Sequence, residues 1–334
     1  MAVIAVDVMS GDRDPRERLR GALHVLRSQP RLTLLLVGVP AVIEPPLTQL
    51  PATLRSRAEL VPAAGVIAMD QAPRAAVRRG RDSSMRIALE LVKARRASAC
   101  VSAGNTGALA AIAHFVLKNV ADVERAAILS AIPSALGHTY MLDLGANTRA
   151  TPRQLTQFAR MGAVAARELY GLSAPRIGLL NVGEEDEKGN AVAKEAHQML
   201  RAVHGLNFLG NVEGRDILAG QARGNRIDVV VCDGFVGNAI LKFYESAGRM
   251  FAGMLQTSFP DVLGRPEARE LLRFLDSSSY GGAPLLGVKG VAIICHGASP
   301  APAIMNAVRV AGQMVRSNLS QDIGAELARG GAVA

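Results

Sequence analysis

Short apolar runs rich in Val, Ile, Leu and Ala alternate with helix-length amphipathic segments along almost the whole chain. The runs at 3–8, 32–37, 97–101, 127–131, 140–144, 176–181, 227–232 and 291–295 read as strands. They are short, bounded by turn residues, and apolar throughout rather than alternating. Between them the spacing of apolar positions predicts helices near 16–27, 83–94, 106–117, 153–168, 190–203, 237–255 and 302–318. Strands with no polar face, joined by helices, describe an α/β fold with a mainly parallel sheet covered on both sides. No repeat or low-complexity linker marks a boundary, so a single α/β domain over 1–334 is expected. The rhythm breaks over about 250–280, where no strand is legible and a helical excursion is predicted. There Leu271, Leu272, Phe274 and Leu275 give an apolar face beside Arg269, Glu270 and Arg273. Such a face suits packing on a neighbouring helix or a second copy of the chain, or contact with a membrane surface.

Composition narrows the class. With 334 residues, 49% hydrophobic and 20% charged, the chain is long enough for a substantial core and reads as soluble and globular. The net charge of +9 is spread along the sequence, with a modest cluster at 74–81, "RAAVRRGR". A basic surface favours acidic partners: nucleic acid, an anionic membrane face or an acidic carrier protein. Four Tyr, eight Phe and no Trp leave little material for stacking bases, which argues against single-stranded nucleic acid. Cys100, Cys232 and Cys295 each end an apolar run, and no pair has zinc-site spacing. They read as small buried strand residues of a protein in a reducing cytoplasm. Cys295 and His296 are not a dyad, because neighbours on a strand point to opposite faces. No apolar run reaches the ~18 residues of a membrane span. Asp7 interrupts the short N-terminal run, so no secretory signal is expected.

Candidate chemistry collects at strand ends, where an α/β sheet gathers its ligands. Six carry small and polar residues together: "VDVMSGD" to Asp12, "SAGNTG" to Gly107, "LDLGAN" to Asn147, "NVGEEDEKGN" to Asn190, "CDGFVGN" to Asn238, and "CHGAS" to Ser299. Six in register predict one shared cleft. In "SAGNTG", Gly104 and Gly107 permit a tight turn, and the helix opening near Thr106 offers free N–H groups to an anion. It is neither a dinucleotide fingerprint nor a Walker loop. A phosphate seat and an ordinary turn, with Asn105 in the turn and Thr106 as N-cap, both remain open. In "NVGEEDEKGN", Glu184, Glu185, Asp186 and Glu187 precede Lys188 and Gly189. The run is either an acidic helix start suited to the macrodipole or part of a site where Lys188 meets an anion; a Mg²⁺ site is a third reading. Asp233 as turn-maker with Asn238 as N-cap is an adequate structural account, and His296 reads as a core or turn residue with an acid–base role as the alternative. The scattered histidines form no metal cluster.

Taken together, "AVDVMSGD", "RDSSM", "VSAGNTGAL", "LDLGAN", "LLNVGEEDEKGN", "GNVEGRDI", "VVVCDGFVGNAILK", "YGGAPLLGVKG" and "IICHGAS" span nearly the whole chain. This series resembles the bacterial phosphate acyltransferases that make acyl phosphate from acyl-acyl-carrier protein in phospholipid synthesis. The resemblance implies an α/β/α sandwich with a mainly parallel sheet, related to phosphate acetyltransferases and isopropylmalate-type dehydrogenases, with a projecting helical tip. It implies a cytoplasmic homodimer that touches the inner face of the membrane and works with a downstream glycerol-3-phosphate acyltransferase. Acyl-carrier protein and inorganic phosphate are the implied partners, with no metal or nucleotide cofactor and no nucleic acid. Lys188 and Asn238 fall on the implied catalytic positions. Asn105, Thr106, Gly107, Asn147, Gly183, Glu184, Asp233 and His296 are the expected phosphate- or substrate-binding residues. The sequence departs from the family pattern at Ser10, where Gly is usual, and at Arg149, where Asp is common. It departs again at Pro300 to Pro302, so the last helix is expected to start differently. The tip is also less lysine-rich: Arg249, Arg265, Arg269 and Arg273 are matched by Asp261, Glu267, Glu270 and Asp276. A related enzyme using acyl-coenzyme A and a catalytically silent scaffold stay open as alternatives. A dehydrogenase is open on fold grounds alone.

Overall fold

A computed structural model describes residues 2–259, 261–262, 265–275 and 281–329. Asp276 and Tyr280, the end of the expected excursion, lie outside the described residues. The chain divides into two compact units, Met1–Ile128 with Gly281–Ala334, and Leu129–Tyr280. It first lays down β1 (Ala2–Asp7), β2 (Leu32–Gly38), β3 (Ala58–Pro62), β4 (Ala99–Ser102) and β5 (Ala127–Ile128). The second unit follows with β6 (Ser130–Ser134), β7 (Gly137–Leu142), β8 (Ile177–Leu180), β9 (Phe208–Val212), β10 (Gln221–Ala222), β11 (Asn225–Arg226) and β12 (Val229–Val231). The chain then returns to the first unit for β13 (Ala283–Leu286) and β14 (Val291–Ile294).

The first sheet has the order β3-β2-β1-β4-β14-β13-β5. Its members from β3 to β14 are parallel, while β13 runs antiparallel to both β14 and β5. Ile4, Ala5 and Val6 of β1 are fully buried, as a central strand covered on both faces requires. Right-handed crossovers place the helices. Pro15–Ser28 links β1 to β2 in one direction along the sheet, and Ser84–Lys93 leads back past β1 to β4. The two helices therefore cover opposite faces. The reversal of direction between β1 and β4 creates a switch point, the usual place for a ligand crevice in such sheets.

The second sheet has the order β6-β7-β12-β8-β9, parallel except for β6. Helix Pro152–Tyr170 packs on β7 and β12. A capping box of Thr151 and Gln154 opens it, and Gly171 in the left-handed conformation (φ +70°) closes it. Helix Gly234–Ser258 is different, because within it only Gly234, Gly237 and Tyr244 are buried. Tyr244 Oη donates to the Leu275 carbonyl (2.6 Å), which ties helix Pro266–Leu275 to it. The expected excursion is thus helical where it is described. No helix among the described residues is long and apolar enough to cross a membrane.

Several expectations shift. The apolar run 127–131 is not one strand: it breaks at Leu129 into β5 and β6, which belong to different sheets. β3, β9, β10, β11 and β13 are additional strands. Asn105, not Thr106, caps helix Thr106–Leu117, because its carboxamide reaches the Ala108 N–H. Asp233 likewise caps helix Gly234–Ser258 through the Val236 N–H (2.8 Å), which leaves Asn238 inside the first turns instead of at the cap. The helix after β14 runs over Ala301–Met314, with Pro300 at its cap and Pro302 in its first turn, and a further helix, Leu319–Arg329, follows it.

Candidate active site

The six strand ends do not line one sheet; three lie in each. In the first unit, β1, β4 and β14 end side by side, with Asp7 paired to Ser102 and Ser102 to Ile294. Their polar groups are bound to one another. Asp7 is buried, and its carboxylate accepts from Ser102 Oγ (2.6 Å) and from the Met9 and Ser10 N–H groups (both 3.2 Å). Ser102 Oγ in turn accepts from the Gly104 N–H (3.2 Å). Arg18, 1% exposed, donates to the carbonyls of Val8 (2.8 Å) and Met9 (3.1 Å), and burial pushes its guanidinium pKa down. The Asp12 N–H donates to the Gly297 carbonyl (2.9 Å), tying the β1 turn to the turn after β14.

Asn105 is a builder here. Its Oδ1 accepts from the Ala108 N–H (2.8 Å), and its Nδ2 donates to the carbonyls of Met69 (2.5 Å) and Gln71 (3.3 Å). The N–H groups of Thr106 and Gly107, orphans of a first turn, have no hydrogen-bond partner among the described residues. His296 is exposed, and its Nδ1 accepts from the Ala298 N–H (3.1 Å). The basic segment is fastened to this turn, since helix Pro73–Arg79 packs against helix Thr106–Leu117 and exposes Arg74, Arg78 and Arg79.

In the second unit, β7, β12 and β8 end together, with Val231 level with Leu142 and Leu179. Asp143 is fully buried and organises the first of these ends. It accepts from the N–H groups of Gly145 (3.2 Å), Ala146 (3.1 Å) and Asn147 (2.6 Å), and from Asn147 Nδ2 (3.0 Å). The Asn147 carbonyl then accepts from the Gly234 N–H (2.8 Å). A Cβ on Gly237 would collide with the Asp143 carbonyl oxygen, so only glycine lets helix Gly234–Ser258 start this close. Asn238, one position on, is exposed beside Gly145, whose ideal Cβ position lies 3.6 Å from Asn238 Oδ1. Among the described residues no side-chain hydrogen bond engages it.

The turn after β8 is braced around Lys188. Asn181 accepts from the Val182 N–H (2.8 Å) and donates to the Lys188 carbonyl (3.1 Å). Gly189 (φ +93°) supplies a backbone conformation that other residues avoid. A Cβ on Gly183 would meet Lys188 Cγ at 2.9 Å, so the lysine stem lies on the bare glycine. The ammonium is half-exposed, and Glu185 stands at 3.9 Å from it. The acids before it are engaged elsewhere. Glu184 pairs with Arg223 (3.1 Å) and Arg215 (3.5 Å), Asp186 pairs with Arg201 (2.9 Å), and Asn211 holds the Glu185 carbonyl (2.7 Å). No group of three or more His, Cys, Asp or Glu suited to a metal ion occurs among the described residues.

Residues 2–322 match the family model described as fatty acid synthesis protein. A phosphate acyltransferase of Heliobacterium modesticaldum is 46% identical over 323 residues, covering 94% of each chain. One from Ectopseudomonas mendocina is 44% identical over 328 residues, covering 96% of each. The chain belongs to the phosphate acyltransferase family. It is an acyltransferase. Its fold is shared with a phosphotransacetylase from Streptococcus pyogenes, at a TM-score of 0.63, 16% identity and 94% coverage of each chain. A phosphotransacetylase from Staphylococcus aureus gives 0.61 at 15% identity and the same coverage.

Within this acyltransferase the three thiols are inert. All are buried, which pushes Cys100 and Cys232 well up and Cys295 to about 12, so none is a thiolate nucleophile. Sequence reasoning did not single out Asp7, Arg18 and Asp143. The signal for the two acids was present: a lone carboxylate closing an apolar strand, two to four residues before Gly, Ser or Asn.

Proposed function

We propose that this acyltransferase takes its acyl group from the thioester of acyl-carrier protein and delivers it to inorganic phosphate. A phosphate oxygen attacks the thioester carbonyl and forms the new C–O bond. The resulting oxyanion collapses and the C–S bond breaks, and the proton of the attacking hydrogen phosphate ends on the sulfur, giving acyl phosphate and the carrier's thiol. Phosphate is already an anionic nucleophile, so no Ser-His-Asp or Cys-His set is required. The protein's task is to position two anions and to stabilise charge on the tetrahedral oxygen, which is the larger contribution in such reactions.

Lys188 offsets charge on phosphate, oxyanion or departing thiolate, and Asn238 donates a hydrogen bond to one of them. The carrying observation is the full-length likeness to phosphate acyltransferases. The geometry supports these two roles, because both polar ends are exposed at adjacent strand ends while hydrogen bonds of Asn181 and Asp143 brace the turns beside them. Asn147, Gly183 and Asp233 shape that end. Glu184 holds the Lys188 turn through Arg223 and Arg215. In the first unit the Thr106 and Gly107 N–H groups seat an anion, Asn105 builds the seat, and His296 borders it.

An acidic carrier is steered by the +9 charge, with Arg74, Arg78 and Arg79 as the rim fastened to the Asn105 turn. Homodimerisation and contact with the inner face of the membrane belong to the same reading. Phe243 (76% exposed), Met250, Phe251 and Met254 form an apolar stripe along helix Gly234–Ser258, and Leu271 is exposed on the neighbouring helix. Membrane contact would bring the product to a downstream glycerol-3-phosphate acyltransferase.

The test is incubation with acyl-carrier protein and phosphate, trapping acyl phosphate with hydroxylamine. Phosphate-dependent hydroxamate from the carrier-linked donor, and less from acyl-coenzyme A, is expected. Preference for the coenzyme A donor would overturn the carrier assignment, and no phosphate-dependent thioester loss from either would leave a scaffold.

A further inference from the structure

The first unit carries a cavity of about 340 Å³ at the amino ends of its strands. Leu32, Val308 and Val315 give it an apolar floor, and Arg31, Arg309 and Arg316 stand around it. Ala2, which also lines it, begins β1, whose other end is Asp7. Five residue steps at about 3.3 Å put the cavity about 17 Å from that strand end. It is therefore separate from the first unit's cluster of polar strand ends.

Three details show that its walls are held in place. Arg57 fixes the segment bearing Arg31 by donating to the carbonyls of Leu26 (2.6 Å), Gln29 (2.9 Å) and Leu32 (3.2 Å). Arg309 is oriented by a hydrogen bond to Asn306 Oδ1 (3.1 Å). Gly312 lies in the last turn of helix Ala301–Met314. A Cβ there would meet only Leu32 Cδ1, at 3.7 Å, so the missing side chain keeps the cavity open. The charge is not balanced locally. No carboxylate lines the cavity, and among the described residues no hydrogen bond or ion pair engages the side chains of Arg31 and Arg316.

We propose that this cavity binds a small amphipathic anion, a phosphate or carboxylate head on a short aliphatic body. The planar guanidinium matches both head groups through paired N–H donors. The floor takes methylene groups out of water, and the volume falls within the range of small-ligand pockets, about 300–1,000 Å³. The site stands independently of the acyl-transfer reading.

Titration calorimetry and hydrogen exchange with butyl phosphate, butyrate and butanol test it. At least one anion binds and protects amides at 29–32 and 301–316, whereas butanol does neither; the tighter of the two anions identifies the head group. Arg31→Gln with Arg316→Gln weakens binding tenfold or more, and phosphate-dependent acyl transfer is unchanged. Gly312→Leu fills the space and abolishes the protection; if that variant does not fold, the arginine pair decides alone. The proposal is overturned if neither anion protects those segments, or if the double arginine variant binds as tightly as the wild type.

Discussion

The strand ends of the first unit and those of the second carry similar residues and use them differently. At β1 and β4 the polar groups are bound to one another: Asp7 to Ser102, Arg18 to two carbonyls, Asn105 to three backbone groups. At β7, β12 and β8 buried Asp143 and half-buried Asn147 and Asn181 do the same work, but beside them Lys188 and Asn238 remain exposed. A side chain already saturated inside the protein serves as architecture, and its backbone neighbours meet the ligand. A side chain held in place but unsaturated is available to the reaction itself. The proposed function accordingly assigns catalysis to side chains of the second unit and anion seating to backbone groups of the first.

The largest effect falls on the exposed pair. Lys188→Ala and Asn238→Ala are each expected to lower turnover by about 10²–10³, the usual loss for one oxyanion donor. Thermal stability should stay within about 0.5 kcal/mol of wild type, as for surface positions. A large fall in melting temperature would move these residues into the architectural class. The residues bracing them behave oppositely. Asp143→Ala strands three backbone N–H groups and the Asn147 amide, and is expected to cost about 3 kcal/mol of stability, read by denaturant titration.

Asn105→Ala sharpens the contrast at smaller scale. Losing an N-cap costs about 1 kcal/mol, and turnover should fall less than for Lys188→Ala. Steady-state kinetics beside a melt would show this; a turnover loss as deep as the lysine's, with no change in melting, would make Asn105 a direct participant.

The smallest effect concerns the thiols. An unfolded cysteine ionises from about pH 9, whereas burial holds Cys295 protonated up to about 12. Above pH 9 the unfolded state therefore binds fewer protons, so this contribution to stability is present below that pH and is lost as pH rises towards 12. Denaturant midpoints of Cys295→Ala and wild type should converge across that range.

The parallel strands were legible because burial on both faces leaves a continuous apolar run, as in "VVVC" and "AIIC". Two of the missed strands break that rule for a physical reason. β3 is an edge strand containing Glu59 and Pro62, and β9 contains Gly210 at φ +102°. The division at Leu129 falls inside an unbroken apolar run, because strands of either unit need the same residues. The turns at the candidate site were legible from Gly, Asn and Asp. Their wiring was not, since Glu184 meets Arg223 and Asn105 meets Met69, more than thirty residues away.

Hydroxylamine trapping of acyl phosphate from acyl-carrier protein, comparing wild type with Lys188→Ala at matched folded fraction, tests the central claim most directly. The account predicts phosphate-dependent product from wild type and about 10²–10³ less from the variant, with unchanged melting. Equal product from both proteins would contradict it.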